Sequence, residues 1–352
     1  MKWFIRIIAL TILLAIGSAG LGYAWLHRSV VPGAPASAAA PGLEIVIPPG
    51  SSAQAIGWLL QDAGLDLQGQ EFAWAARVLG AQSRLKAGVY ELRAGYSLVD
   101  ILNKFSRGDS LQVAITLIEG WTFEQMLRAV HANPAIVRQL PERVPEASVL
   151  LARELGIASG SVEGWIFPDT YLIQKGSTDY ALFERAIRLQ RRVLTEAWEA
   201  RNPRVKISRL EEALIIASLI ERETQHPDDR EWVSAVFHNR LSLNMPLQSD
   251  PTVIYAMGSA FDGNLRKADL QRDSPYNTYR VRGLPPSPIA NPGRAALVAA
   301  LNPAPTQALY FVAQGDGSSY FSHTLDQHNH AVNYFQRKRG PEPPPSMKVA
   351  GR

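Results

Sequence analysis

The sequence predicts an α+β protein with an N-terminal transmembrane helix, a small βααβ module and a larger α+β domain. Three observations lead there. Residues 7–26 form an uncharged apolar run, residues 43–92 read as strand, helix, helix and strand, and beyond 111 short β-branched runs alternate with longer helical patterns.

Residues 1–28 read as a cytoplasmic stub and one membrane span. The run Ile7-Ile-Ala-Leu-Thr-Ile-Leu-Leu-Ala-Ile16 and its continuation to Leu26 reach the roughly 20 residues that a helix needs to cross a bilayer. Lys2 and Arg6 precede the run and only Arg28 and His27 follow closely, so the positive-inside bias keeps the N-terminus cytoplasmic and places the rest outside the cytoplasm. The alternative is a cleaved signal peptide, given the small residues late in the run and in Ala36-Ser-Ala-Ala-Ala40; such a peptide's apolar region is typically about 7 to 15 residues, which favours a retained span. Both readings export the chain. There is no cysteine, which removes disulfides, thiolate metal sites and a cysteine nucleophile.

Residues 29–42, rich in Ala, Pro and Gly, are expected to be a flexible linker, and 340–352, with Pro341, Pro343, Pro344 and Pro345, a disordered tail. The module spans 43–110. Leu43-Glu-Ile-Val-Ile47 is a strand, Pro49-Gly50 a turn, and Ser51 and Ser52 caps for a helix from Ala53 that Gly64 stops. A second helix covers Glu71–Leu79, Leu85–Leu92 alternates as a strand, and Ser97–Phe105 is a further helix ending at Gly108. This order is LysM-like, which leaves two roles open: binding of N-acetylglucosamine-containing glycans, or packing and spacing alone.

The larger domain covers 111–339. Gln112–Ile118 is a β-branched strand, and Thr122 caps the helix after the turn Glu119-Gly-Trp121. A related turn recurs at Glu163-Gly-Trp165. A long polar helix from Tyr180 to Arg201 precedes the apolar run Ala213-Leu-Ile-Ile-Ala-Ser-Leu-Ile220, which ends in Glu221. At about 100° per residue, Leu214, Ala217, Ser218 and Glu221 share a face and Glu223 points elsewhere. A carboxyl on a greasy face is costly to ionise, and a raised pKa suits a general acid for a glycosidic bond. An ordinary exposed glutamate near a helix end is the competing reading.

Other chemistries find less support. The net charge of +4 is modest and lacks the basic, aromatic-interleaved face that nucleic-acid binding wants. Glu223 and His226 have Glu-x-x-His spacing, but a di-iron bundle needs a second copy and more glutamates, and there is no His-Glu-x-x-His motif; neither metal nor cofactor is expected.

Ala217-Ser-Leu-Ile-Glu-Arg-Glu-Thr224, Val236-Phe-His-Asn-Arg-Leu241, Met245–Gly258, Ser274-Pro-Tyr-Asn-Thr-Tyr279, Gly283–Ile289 and Asn291-Pro-Gly293 together resemble the YceG-like family of endolytic murein transglycosylases. The resemblance covers nearly the whole chain. It implies a membrane-anchored lyase that cleaves the MurNAc-GlcNAc bond within peptidoglycan glycan strands and leaves 1,6-anhydro ends. Penicillin-binding synthases at the plasma (inner) membrane are the implied partners. It also places the essential glutamate on Glu221, with Arg222 standing where lysine is common. His328-Asn329 matches a family position too.

A protonated Glu221 would donate to the glycosidic oxygen, then take the proton of the muramic acid 6-hydroxyl as that oxygen closes onto C1. A hydrolase would need a second carboxylate, for which Asp250 and Glu163 are candidates. Gln248, Asp250 and Thr252, around Pro251, and Tyr276-Asn277-Thr278-Tyr279 offer the ring faces, amides and hydroxyls that bind sugars. The competing reading is core packing for the tyrosines and a turn cap for Asn277. A binding scaffold without turnover would use the same residues.

Overall fold

The computed structural model describes residues 2–33 and 42–350. The fold is mixed α+β, and the chain forms two compact units, residues 1–114 with 172–177 and residues 115–171 with 178–352.

The first unit starts with α1 (Lys2–Leu26), whose residues from Trp3 onward form a helix long and apolar enough to cross a membrane, with none of its span buried against protein. Next come β1 (Leu43–Ile47), α2 (Ala53–Asp62), α3 (Gly69–Val78), β2 (Gly88–Leu92) and α4 (Leu98–Arg107). β1 and β2 pair antiparallel, with Ile45 opposite Tyr90. Local chemistry sets most ends. Ser52 caps α2 by accepting from Ala55 N, Ser97 and Asp100 form a capping box on α4, and Gly108 ends α4 in the left-handed region. Ile45, Ile56, Leu60, Phe72, Tyr90 and Phe105 fill the core between the two-stranded sheet and the helices.

The expected linker at 29–42 is different at its start. Val30 and Val31 are buried in this core. Their amides both donate to Tyr96 O, and Val30 O accepts from Asp66 N, so apolar burial and backbone pairing fix a segment whose composition suggested a tether. The rest of that linker, 34–41, lies outside the described residues.

β3 (Gln112–Thr116) pairs with β4 (Thr170–Gln174), and the boundary between the units falls within both strands. The second unit contains α5 (Phe123–His131) and α6 (Val144–Glu154) between those strands, then α7 (Asp179–Glu199), α8 (Leu210–Glu223), α9 (Arg230–Ser242), α10 (Asp250–Met257) and α11 (Arg294–Leu301). A hairpin of β5 (Tyr310–Ala313) and β6 (Ser319–Ser322), α12 (Leu325–Phe335) and the short α13 (Met347–Ala350) follow. α8 is the centre of this unit, packed by α7, α9, α10 and α11. Every residue from Ala213 to Glu221 is buried, the condition of a helix apolar all round. The enclosure is therefore not limited to the one face that Glu221 occupies.

The expected disordered tail is held down over much of its length. Tyr320 Oη donates to Pro344 O, Phe321 N donates to Ser346 Oγ, and Lys348 Nζ lies 2.5 Å from the fully buried Asp229. Prolines surrender little backbone entropy on ordering, and a buried carboxylate demands a counter-charge; both favour docking over disorder.

Candidate active site

Glu221 sits two residues before the end of α8 and is 9% exposed. Its Oε2 accepts a hydrogen bond from Gly293 N at 2.8 Å, and its Oε1 accepts none among the described residues. Gly293 is the N-cap of α11, so the carboxyl meets the positive end of that helix. Burial raises its pKa, the Gly293 bond opposes the rise, Glu119 adds to it, and Arg230 and Arg222 pull against it.

Glu119 is the carboxylate that sequence reasoning missed. A Cβ placed on Gly293 would lie 1.9 Å from Glu119 Oε1, so two carboxyl groups converge on one glycine. The turn that carries Glu119 is locked from several sides. Gly120 N donates to Asn291 O, Asn291 N donates to Trp121 O, and Arg222 Nη1 donates to Gly120 O. Gly120 takes φ +77° and faces Glu221 Cγ, 3.7 Å from where its own Cβ would be. The sequence signal was the Glu-Gly-Trp turn itself, which marks a glycine that needs a left-handed backbone next to an acid.

Glu163, from the second such turn, is buried and spent on structure. Its oxygens accept from Phe123 N, Asn291 Nδ2 and Tyr255 Oη. Burial pushes its pKa up to about 7 against those bonds. Asn291 thus joins both Glu-Gly-Trp turns: its Oδ1 takes Ile166 N, and its Nδ2 reaches Trp121 O and Glu163. Ser218, one turn before Glu221, accepts from Ile289 N, which lays the 288–293 strap along α8.

The Gln248–Thr252 turn docks on α8 through Glu223. Ser249 Oγ donates to Glu223 Oε1 at 2.5 Å, and burial raises Glu223 to about 7, with the Ser249 bond lowering it and Asp250 raising it. Arg240, 7% exposed, holds the turn by donating to Leu309 O, Pro246 O, Leu247 O and Gln248 Oε1. Its guanidinium lies over the Tyr310 ring, against which His328 stacks.

The sugar-binding candidates fall into two groups. Gln248 and Asp250 are exposed, and Tyr279, partly buried, donates through its hydroxyl to Asp250. Tyr276 is partly buried too, with its hydroxyl on Ser287 and its ring against Tyr255. Thr252, Asn277 and Thr278 are buried, and their polar atoms are used internally: Thr252 and Thr278 bond to each other, and Asn277 Nδ2 caps Leu270 O and Arg272 O. These three hold the loop in shape. Glu223 and His226 do not converge, since Glu223 turns to Ser249 while His226 Nδ1 lies 3.9 Å from Asp229.

The site is thus a buried carboxyl on α8 facing the N-terminus of α11, with a polar, tyrosine-bearing loop docked on α8, all within one α+β unit. The sequence model of the YceG-like family matches residues 45–334. An endolytic murein transglycosylase of Bacillus subtilis (strain 168) is 34% identical, over 83% of this chain and 84% of its own length. One from Streptococcus pneumoniae serotype 2 is 29% identical over 93% of this chain, which spans 64% of that relative's length. A 2.6 Å crystal structure of a YceG-like protein from Listeria monocytogenes superposes with a TM-score of 0.52 at 30% identity, covering 81% of this chain and 97% of the other. The chain belongs to the YceG-like family.

Proposed function

We propose that the chain is a lytic transglycosylase acting on peptidoglycan, cleaving the MurNAc-GlcNAc bond within glycan strands with Glu221 as its acid. The observation that carries the residue assignment is the one-sided hydrogen bonding of the buried Glu221 carboxyl. Gly293 N occupies Oε2 and leaves Oε1 to hold the proton, while burial raises the pKa. The proton goes from Oε1 to the glycosidic oxygen as the C1–O bond breaks. The resulting carboxylate accepts the proton of the muramic acid 6-hydroxyl as its oxygen bonds to C1, and the acid is regenerated with no water consumed. Gln248, Asp250, Tyr276 and Tyr279 are the proposed sugar contacts, with Thr252, Asn277 and Thr278 shaping the loop.

The test is Glu221→Gln. The amide oxygen keeps the Gly293 bond, so the fold and strand binding persist while release of anhydro-muropeptides falls by about 10²- to 10⁴-fold, the usual span of general acid–base catalysis. Unchanged release would remove Glu221 from the role. The nearby Glu119 favours hydrolysis as the second reading, and product mass separates the two, because a hydrolase adds one water to each new reducing end.

The α1 helix is a single membrane span with its N-terminus cytoplasmic, as Lys2 and Arg6 favour, and the rest of the chain is extracytoplasmic. The β1-α2-α3-β2 order with antiparallel strands supports a LysM-like module. A synthase at the membrane is the expected companion.

A further inference from the structure

The first unit leaves an apolar helix face uncovered next to the end of the span. On α3, Phe72, Ala75 and Ala76 are buried in the core, whereas Trp74 is 59% and Val78 55% exposed, with Leu79 following at 40%. Exposed apolar residues scattered singly need no explanation, but here they share one helix face and continue past its end. The cations Arg77 and Arg84 flank them, and Arg84 Nη2 reaches Leu79 O.

The position of this face along the membrane normal follows from α1. Trp3 and Trp25 are separated by roughly 33 Å of helix at about 1.5 Å per residue, close to the roughly 30 Å of bilayer hydrocarbon. Tryptophans at that spacing belong to the two headgroup levels. Trp25 then meets α3 directly: its Nε1 donates to Glu71 Oε1 at 3.2 Å, and its ring lies edge-on to Trp74 with centroids 5.6 Å apart. Three residues further along α1's direction, Arg28 pairs with Glu71 at 2.9 Å. Glu71 and Trp74, one turn apart on α3, both meet Trp25, so the apolar face that continues through Val78 starts at the headgroup level that Trp25 marks. Glu71 is the acid of this face, and Arg28 answers its charge.

We infer that the Trp74, Val78 and Leu79 face of the first unit lies in the headgroup layer of the bilayer that α1 crosses, making this unit a lipid-surface binder as well as a tethered one. The inference rests on α1 being a span. Interfacial tryptophan and apolar groups gain by leaving water, and Arg77 and Arg84 gain from anionic headgroups.

The chain has no cysteine, so single labels can be placed cleanly. Three variants of the full chain, Val78→Cys, Val46→Cys and Ile16→Cys, are labelled with bimane. They are reconstituted in vesicles of phosphatidylcholine and phosphatidylglycerol carrying brominated acyl chains. Val46, 61% exposed on β1, is the control of matched exposure, and Ile16 reports the span. The expected result is at least twofold stronger quenching at 78 than at 46 by lipids brominated near the headgroup, with 16 quenched by lipids brominated at mid-chain. Equal quenching at 78 and 46, with 16 quenched, would overturn the surface while leaving the span intact. Protection of 78 from water without lipid quenching would assign the face to a protein partner and overturn it equally. No quenching at 16 would overturn the span and the surface together.

Discussion

At Glu221, the proposed acid, protonation depends on what surrounds each oxygen. A carboxyl with one oxygen on a backbone N–H and the other without a hydrogen bond among the described residues is held in position without being forced into its charged form, provided burial outweighs the bond. Glu119 tips that balance further. Its negative charge favours the protonated Glu221, so Glu119→Gln is expected to lower the Glu221 pKa and move the alkaline limb of the kcat/KM profile to lower pH. An unmoved limb would show that the two carboxyl groups do not communicate. Glu163 carries its own pH dependence. Its folded pKa of about 7 stands above the ordinary 4.5, so the folded state holds the proton more tightly. The contribution of Glu163 to stability is therefore fully present below about pH 4.5, declines as pH rises through 7, and is smaller by on the order of 3 kcal/mol above that. Glu163→Gln, which preserves an acceptor for Phe123 N and Asn291, should flatten this decline; melting of the detergent-solubilised chain at pH 5.5 and 8 measures it.

Two glycines fix turns around the site, and only one of them lacks room for a side chain. Gly120 and Gly164 both have left-handed backbones, φ +77° and +82°, yet they differ in room. A Cβ on Gly120 would make ordinary contacts, whereas one on Gly164 would lie 2.4 Å from Pro288 Cβ and 3.4 Å from Leu214 Cγ. Gly120→Ala should thus cost about 1–2 kcal/mol for the backbone alone. Gly164→Ala should cost about 1–3 kcal/mol more, because the strap along α8 must move. Comparison of their chemical denaturation midpoints checks the order; a Gly164→Ala protein as stable as Gly120→Ala would mean that the strap yields freely. Some helix caps were readable from sequence. Ser52, Thr122 and Gly108 act on backbone groups within four residues, so their neighbours in the chain contain the whole interaction.

For the whole molecule, the junction between α1 and the core of the first unit is short and structured. Removing residues 2–22 keeps Trp25, Leu26, Val30 and Val31, all part of or packed against the first unit's core. Removing 2–33 takes them away. The shorter deletion is expected to yield a soluble, folded protein, and the longer one to lose roughly 3–6 kcal/mol from two buried valines, with more from the lost partners of Tyr96 and Asp66. Urea midpoints of the first unit's transition in the two truncations decide this. Identical midpoints would return residues 29–33 to the status of a free tether.

Patterns confined to neighbouring residues were settled by the sequence alone. The apolar run of α1, the order β1-α2-α3-β2, the buried character of α8 and the separation of Glu221 from Glu223 all follow from hydrophobic periodicity and helix geometry. Family membership was legible for a related reason, because its motifs are long and ordered along the chain. Folding alone decided the distant pairings: Glu119 and Glu221 on Gly293, Arg240 under Gln248, Asn291 between the two Glu-Gly-Trp turns, and Lys348 on Asp229. No local pattern encodes such contacts. Each arises because a buried polar group must find a partner wherever the packing of helices brings one, and the sequence names the group without naming the partner.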